Sequence, residues 1–330
     1  MTQDFFKYIN NFELNTNVKS RLVIGNSERK TTKYSIAIPT YKRLDLLEKA
    51  LDSAINQNGG LDYEIVVVDN DPDSVGLDKI KVKYNFNNLF YYINDENIGM
   101  FGNWNRCIEL VRGEYITILH DDDWLSSDYL MECETYLNLG VDGLIFRNNK
   151  VYDQIFENLN NEKKNVLFKN ILSIFSNKTK KLSLFDFFLG NKSSGTLGVL
   201  LKTKLLKELG GYNPDFFPSS DYVLHANYSY RYNLYLINKK LNYYRIAVNE
   251  SAKQETLEKW VYIDNEIRKY IIPLLDKNQD VLLRVNKIIQ DNRVKGLVDN
   301  WNYQTETMIN YKIKHKIFNK MISLKYFLNF

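Results

Sequence analysis

The spacing of hydrophobic and polar positions changes several times along the chain, and each change marks an element. Ser35–Ile38 is a short apolar run stopped by Pro39, which predicts a buried strand. Leu44, Leu47, Leu51 and Ile55 then recur at helical spacing through Gln57, and Gly59 and Gly60 close the helix. Tyr63–Val68 is an apolar run of the kind found in strands covered on both faces. Leu89–Ile93 predicts a strand, Phe101–Val111 a helix and Tyr115–Leu119 a further strand. Strands alternating with helices predict an α/β fold, a doubly wound, Rossmann-like sheet flanked by helices.

The regularity weakens beyond Leu144. Asn158–Lys181 is rich in Asn and Lys and reads as a loop or helical insertion. Gly195–Leu206 reads as a strand followed by a helix, ending at Gly210 and Gly211. Tyr228–Tyr244 holds strand and helix pieces dense in tyrosine. From Glu255 the pattern is mostly helical, broken at Pro273. The chain therefore divides into a polar N-terminal extension (1–33), a regular α/β half (34–145), a less regular half (146–251) and a mostly helical C-terminal extension (252–330).

Composition narrows the class without deciding it. In 330 residues, 44% are hydrophobic and 25% charged, which suits a globular chain with a sizeable core. A net charge of +4 is too small to argue for nucleic acid. Cys107 and Cys133 offer neither zinc spacing nor a disulfide framework, so a reducing, cytoplasmic compartment is expected. No secretory leader pattern opens the chain, and no apolar run is long enough to span a bilayer.

The candidate chemistry sits where the strands end. Thr40, Tyr41 and Arg43 follow the first strand, Asp69 and Asn70 the second, and Asp121, Asp122 and Asp123 the last. Carboxyl ends of strands are where such sheets bind ligands. Three adjacent carboxylates repel one another by roughly a few kcal/mol unless a cation or donor array offsets them. Either a hard divalent cation carrying a diphosphate does so, or the triplet belongs to an acidic loop that caps a helix beginning near Ser126, with Ser126, Ser127 and Asp128 as the cap candidates.

SIAIPTYKR, EIVVVDNDP, NDENIGMFGNWNRCIEL and GEYITILHDDDWL, in this order and spacing, resemble the nucleotide-binding half of family 2 glycosyltransferases, which have the GT-A fold. LKELGGYNPDFFPSSDYVL and YYRIAVNES resemble the family's acceptor half, so the likeness covers about 34–251. It implies a GT-A mixed sheet and a cofactor, Mn2+ or Mg2+, held by Asp122 and Asp123, with Asp121 toward the ribose. Thr40 and Tyr41 would line the base pocket, with Arg43 near the nucleotide, and Asp69 would accept a hydrogen bond from a uracil N–H. Asn97 and Gly99 would bring backbone close to the sugar nucleotide, and Asn105 would face the same site. Arg245 would clamp the diphosphate. Asp221 matches the family's catalytic aspartate, with His225 as the alternative base; Ser220 replaces the acid usual before it. A frequent family aspartate falls on His120, and Trp104 stands where many relatives carry Arg.

The expected activity is inverting transfer of a sugar from a nucleotide-diphosphate donor, a UDP-sugar, to a hydroxyl of a glycan acceptor. A lipid-linked precursor of capsule, O-antigen or lipooligosaccharide fits, with a protein or polyprenyl-phosphate acceptor, or a catalytically silent nucleotide-sugar-binding module, as alternatives. Tyr311–Phe330 alternates Lys with apolar residues. It reads either as an anchor to the inner face of the cytoplasmic membrane or as a helix packed on the domain.

Overall fold

The structure, a computed structural model, describes residues 4–152 apart from 27, 85 and 139, then 179–246 and 254–301. The expected insertion at Asn158–Lys181 falls mostly outside them, and the basic tail wholly so. In chain order the strands are β1 (Ser20–Ile24), β2 (Thr32–Thr40), β3 (Tyr63–Asp69), β4 (Leu89–Asn94), β5 (Gly113–Ile118), β6 (Trp124–Leu125), β7 (Gly143–Tyr152), β8 (Thr179–Lys181), β9 (Val199–Lys202) and β10 (Leu234–Ile246). The helices are α1 (Leu44–Ile55), α2 (Leu77–Lys83), α3 (Gly99–Leu110), α4 (Tyr129–Leu137), α5 (Leu184–Phe188), α6 (Thr203–Glu208), α7 (Ser220–Arg231), α8 (Gln254–Ile271) and α9 (Gln279–Trp301).

One mixed sheet carries the order β1-β4-β3-β2-β5-β9-β7-β10-β6, with β8 paired to β10. β2 runs parallel to β3 and β5, and β3 parallel to β4, whereas β9 joins β5 and β7 antiparallel. Period-two alternation gives β2 and β3 two buried faces. Ile36, Ile38, Ile65 and Val67 pack with Leu47, Leu51 and Ala54 of α1, while Ala37, Val66 and Val68 pack with Phe101, Trp104 and Cys107 of α3.

The strand predicted to stop at Pro39 runs through it to Thr40. Along β2 the backbone groups alternate between neighbours: Tyr34 N–H donates to Asp62 O on the β3 side, and Leu119 N–H donates to Ala37 O on the β5 side. Pro39 falls on the β5 side, two residues past that last bond, where its missing N–H costs nothing.

The N-terminal segment, expected as an extension of uncertain structure, is built into this body. β1 pairs antiparallel with β4 at the sheet edge, and Phe5 and Phe6 are buried in the same core as α3 and α7. At the other end α8 and α9 bury Ile267, Ile271 and Leu282. Asp264 of α8 reaches the start of α7, where Ser219 donates to its Oδ1 at 2.7 Å, and Arg268 Nε of α8 donates to Asn286 Oδ1 of α9 at 2.7 Å. Arg293 lies 3.4 Å from Asp264 Oδ2. Among the described residues no helix is long and apolar enough to cross a membrane.

Candidate active site

The chain leaves β5 and turns sharply, Asp123 N–H donating to His120 O at 3.1 Å. This turn sets three carboxylates beside the end of β2. Asp121 is fully buried; it accepts from Thr40 Oγ1 at 2.8 Å and meets Arg43 Nη2 at 2.5 Å. Arg43 Nη1 reaches Asp122 Oδ2 at 3.0 Å, so one guanidinium bridges two of the three acids. Burial pushes the Asp121 carboxyl up to about 6, against the pull of the Arg43 charge and the Thr40 hydroxyl.

Asp123 is built differently. Its Oδ1 accepts the backbone N–H of Arg245 at 2.9 Å, which continues the pairing of β6 with β10. Its Oδ2 is buried with no hydrogen-bond partner and lies 3.9 Å from His120 Nδ1. Burial, reinforced by the Asp122 charge, pushes Asp123 up to about 8. One ligand atom each from His120, Asp122 and Asp123 fall within 4.8 Å of one another. The residues present therefore fit a divalent cation, because an orphaned, buried carboxylate oxygen is a cost that a metal ion removes. Asp128, one of the expected cap candidates, occupies the N-cap position of α4 without a side-chain cap hydrogen bond, while the triplet's own carboxylates bond to Thr40, Arg43 and Arg245.

The flanking candidates fall into two groups. Tyr41 is 41% exposed, with Lys42 Nζ 5.3 Å from its ring centroid, and remains open to a ligand. Gly99 opens α3 with φ +74°, and nothing would touch a Cβ there, so its face is open to solvent. Asn97 Oδ1 fixes that corner, accepting from Gly99 N–H at 2.9 Å and from Asn70 Nδ2 at 2.7 Å. Beside Arg43 a cleft of about 760 Å³ is lined by Lys42, Asp71, Asp73, Val75 and Lys79.

Two expectations need correcting. Thr40 does not line an open pocket, because its hydroxyl proton is spent on buried Asp121. Asn105 does not face the site either. Its Nδ2 donates to Tyr212 O at 2.8 Å and its Oδ1 accepts Tyr212 N–H at 2.7 Å, so it clamps α3 to the Gly210–Gly211 turn. Replacing Asn105 by alanine strands two buried backbone groups and is expected to cost about 3 kcal/mol, read by chemical denaturation. Asp69 is nearly saturated: Ser74 Oγ (2.6 Å), Tyr91 Oη (2.8 Å) and Asp71 N–H (3.0 Å) all donate to it. With two carboxylate oxygens there is room for one further donor.

Asp221 lies in the first turn of α7, and its Oδ2 accepts from Asn191 Nδ2 at 2.7 Å. Burial pushes its carboxyl up to about 6, opposed by the Asn191 amide and helped by the negative charge of Asp264. His225, the alternative base, is fully buried, with Ser193 Oγ 2.9 Å from its Nδ1. Burial drops its pKa to about 3, so it is too weak and too enclosed to take a proton from an acceptor.

Sequence reasoning missed the loop from Gly190 to Gly198. Asn191 bonds Asp221, Ser193 bonds His225, and Thr196 bonds His120 across the sheet end. Gly198, at φ +70°, lies so close to Asn242 of β10 that a Cβ would come within 2.2 Å of its side chain. A second bridge is aromatic. Trp104 stacks on His120 with centroids 5.1 Å apart and meets Tyr212 edge-on at 5.1 Å, and Tyr212 meets His225 at 6.3 Å. Trp104 is thus a packing residue that holds the imidazole.

Residues 35–194 match the family model "Glycosyl transferase family 2". The chain is 29% identical over 300 residues to GalNAc(5)-diNAcBac-PP-undecaprenol beta-1,3-glucosyltransferase of Campylobacter jejuni, covering 89% of each chain. It resembles the S. aureus TarS 1-349 structure in complex with UDP-GlcNAc, with TM-score 0.59 and 16% identity over 90% of this chain and 80% of that one. It also resembles the mannosyltransferase PcManGT from Pyrobaculum calidifontis in complex with GDP-Man and Mn2+, with TM-score 0.51 and 15% identity over 90% of this chain and 81% of that one. These likenesses establish a shared GT-A fold.

Proposed function

From the premise that the chain belongs to glycosyl transferase family 2, we propose that it is a metal-dependent inverting transferase using a UDP-sugar. The acceptor we propose is a lipid-linked glycan of the bacterial surface. One observation carries this reading. A single loop, Gly190–Gly198, touches both the cation cluster, through Thr196 and His120, and the buried carboxylate Asp221, through Asn191. A group that prepares a leaving diphosphate and a group that takes a proton are thereby held in one frame.

Asp122 and Asp123 would hold Mn2+ or Mg2+, which when bound neutralises charge on a departing diphosphate. Arg43 adds a positive charge at the same place and is 47% exposed, which leaves faces of its guanidinium for phosphate oxygens. Arg245 follows Tyr244 in β10 beside Asp123, so a diphosphate clamp from its side chain is within reach of the cluster. Tyr41 and the remaining lone pair of Asp69 would recognise the nucleobase, and the open corner at Asn97–Gly99 would let backbone approach the sugar. Asp221, ionised and oriented by Asn191, takes the acceptor hydroxyl's proton as that oxygen attacks the anomeric carbon.

The identity of the donor is supported by the UDP-GlcNAc complex of TarS, and that of the acceptor by the undecaprenyl-linked glycan named for the C. jejuni relative. A thermal-shift panel of nucleotide-sugars with Mn2+ tests the donor. UDP-sugars should raise the melting temperature by more with Mn2+ than without, as a ligand selective for the folded state must. A larger shift with GDP-, CDP- or dTDP-sugars would refute the uridine assignment.

The base also fixes a pH profile. Asp221 must be ionised to act and titrates near 6. Its turnover with saturating metal should therefore fall about tenfold per pH unit below that value and level off above it. A flat profile between pH 5 and 7 would exclude this carboxylate as the base.

A further inference from the structure

We propose that His120 is a third ligand to the cation, through Nδ1, and that this nitrogen makes the site select Mn2+ over Mg2+. The inference rests on the cation site proposed above and goes beyond it in naming the donor set and the metal it prefers.

Hydrogen-bond bookkeeping fixes the imidazole. Thr196 Oγ1 donates its single proton to Ile118 O at 2.9 Å. Toward His120 Nε2, also at 2.9 Å, the hydroxyl can therefore only accept, so Nε2 carries the hydrogen. In the neutral ring Nδ1 then has a bare lone pair, and it faces Asp123 Oδ2 at 3.9 Å. That oxygen is itself buried and without a donor. Two acceptors face each other at a distance too long for a hydrogen bond between them, with the Asp122 carboxylate alongside. A cation between them satisfies all three.

The ring is held for this task. Trp104 stacks on one face, and Gly195 packs beside the ring edge, where a Cβ would make van der Waals contact with His120 Cε1 at 3.4 Å. Ligating imidazoles commonly donate their second N–H to a fixed oxygen, as Nε2 does here to Thr196. The consequence is chemical. Mg2+ favours an all-oxygen octahedral shell and binds imidazole poorly, whereas Mn2+ tolerates a mixed nitrogen and oxygen set. An aspartate at position 120 would give an all-oxygen site with no such bias.

The test is electron paramagnetic resonance of Mn2+ bound to the full chain with UDP, with Mg2+ as competitor. Nitrogen hyperfine coupling from one directly bound imidazole is expected in the wild type, together with at least a tenfold preference for Mn2+. His120→Asp should remove the coupling and most of the preference, and Thr196→Val should weaken Mn2+ binding about tenfold. Mn2+ bound without nitrogen coupling in the wild type, a measurement that needs no variant to fold, would overturn the assignment of His120 and leave the cation site standing. No Mn2+ binding at all in the presence of UDP would overturn the cation site and this proposal with it.

Discussion

Replacing Asp221 by asparagine is expected to lower kcat by about a thousandfold, within the range usual for loss of a general base, while nucleotide binding persists. The substitution keeps shape and keeps an oxygen to accept from Asn191, so the loop that frames the site stays anchored. It is also expected to stabilise the fold. The folded carboxyl titrates near 6, above its ordinary 3.8, so the folded chain holds that proton more tightly than the unfolded chain. This contribution favours folding fully at pH below about 3.8 and is lost as the pH rises through 6. At pH 7.5 the ionised, buried carboxylate opposes folding by at most about 3 kcal/mol. The inactive variant should therefore melt a few degrees higher than the wild type. A residue kept only for packing would not combine lost turnover with gained stability.

Asp123→Asn is expected to abolish Mn2+ binding and to reduce turnover at least a hundredfold. The amide oxygen can still accept from Arg245 N–H, so the pairing of β6 with β10 survives, but the orphaned anionic oxygen is gone. Thermal melting separates the two states. With UDP present throughout, adding Mn2+ should raise the wild-type melting temperature further and leave the variant's unchanged. An equal shift in both would mean that the cation binds elsewhere.

Where a residue's partners lie nearby in sequence or follow a period, the sequence already shows its place. β3 reads as apolar because helices cover both its faces, and the acidic triplet reads as a cluster because its members are adjacent. The resemblance to family 2 glycosyltransferases likewise rests on compact motifs. What escaped depends on distant partners. Phe5 and Phe6 look like part of a polar extension until Phe216 and Tyr270 pack on them. Asn105 looks like a ligand-facing amide until Tyr212 takes both its ends. The loop from Gly190 to Gly198 has no periodicity, and its meaning comes from His120 and Asp221, one on each side of the site. Thr40 stands beside the triplet, where its hydroxyl serves Asp121, a partner eighty-one residues away in sequence.

Release of UDP from UDP-sugars by the full chain, measured with Mn2+, after EDTA, and after Mn2+ is restored, tests the central claim most directly. Release that requires Mn2+, stops with EDTA and returns with Mn2+ is the predicted result. Release unaffected by EDTA would contradict the cation site proposed at Asp122 and Asp123. No release from any UDP-sugar, with or without an added glycan acceptor, would contradict the UDP-dependent transferase itself.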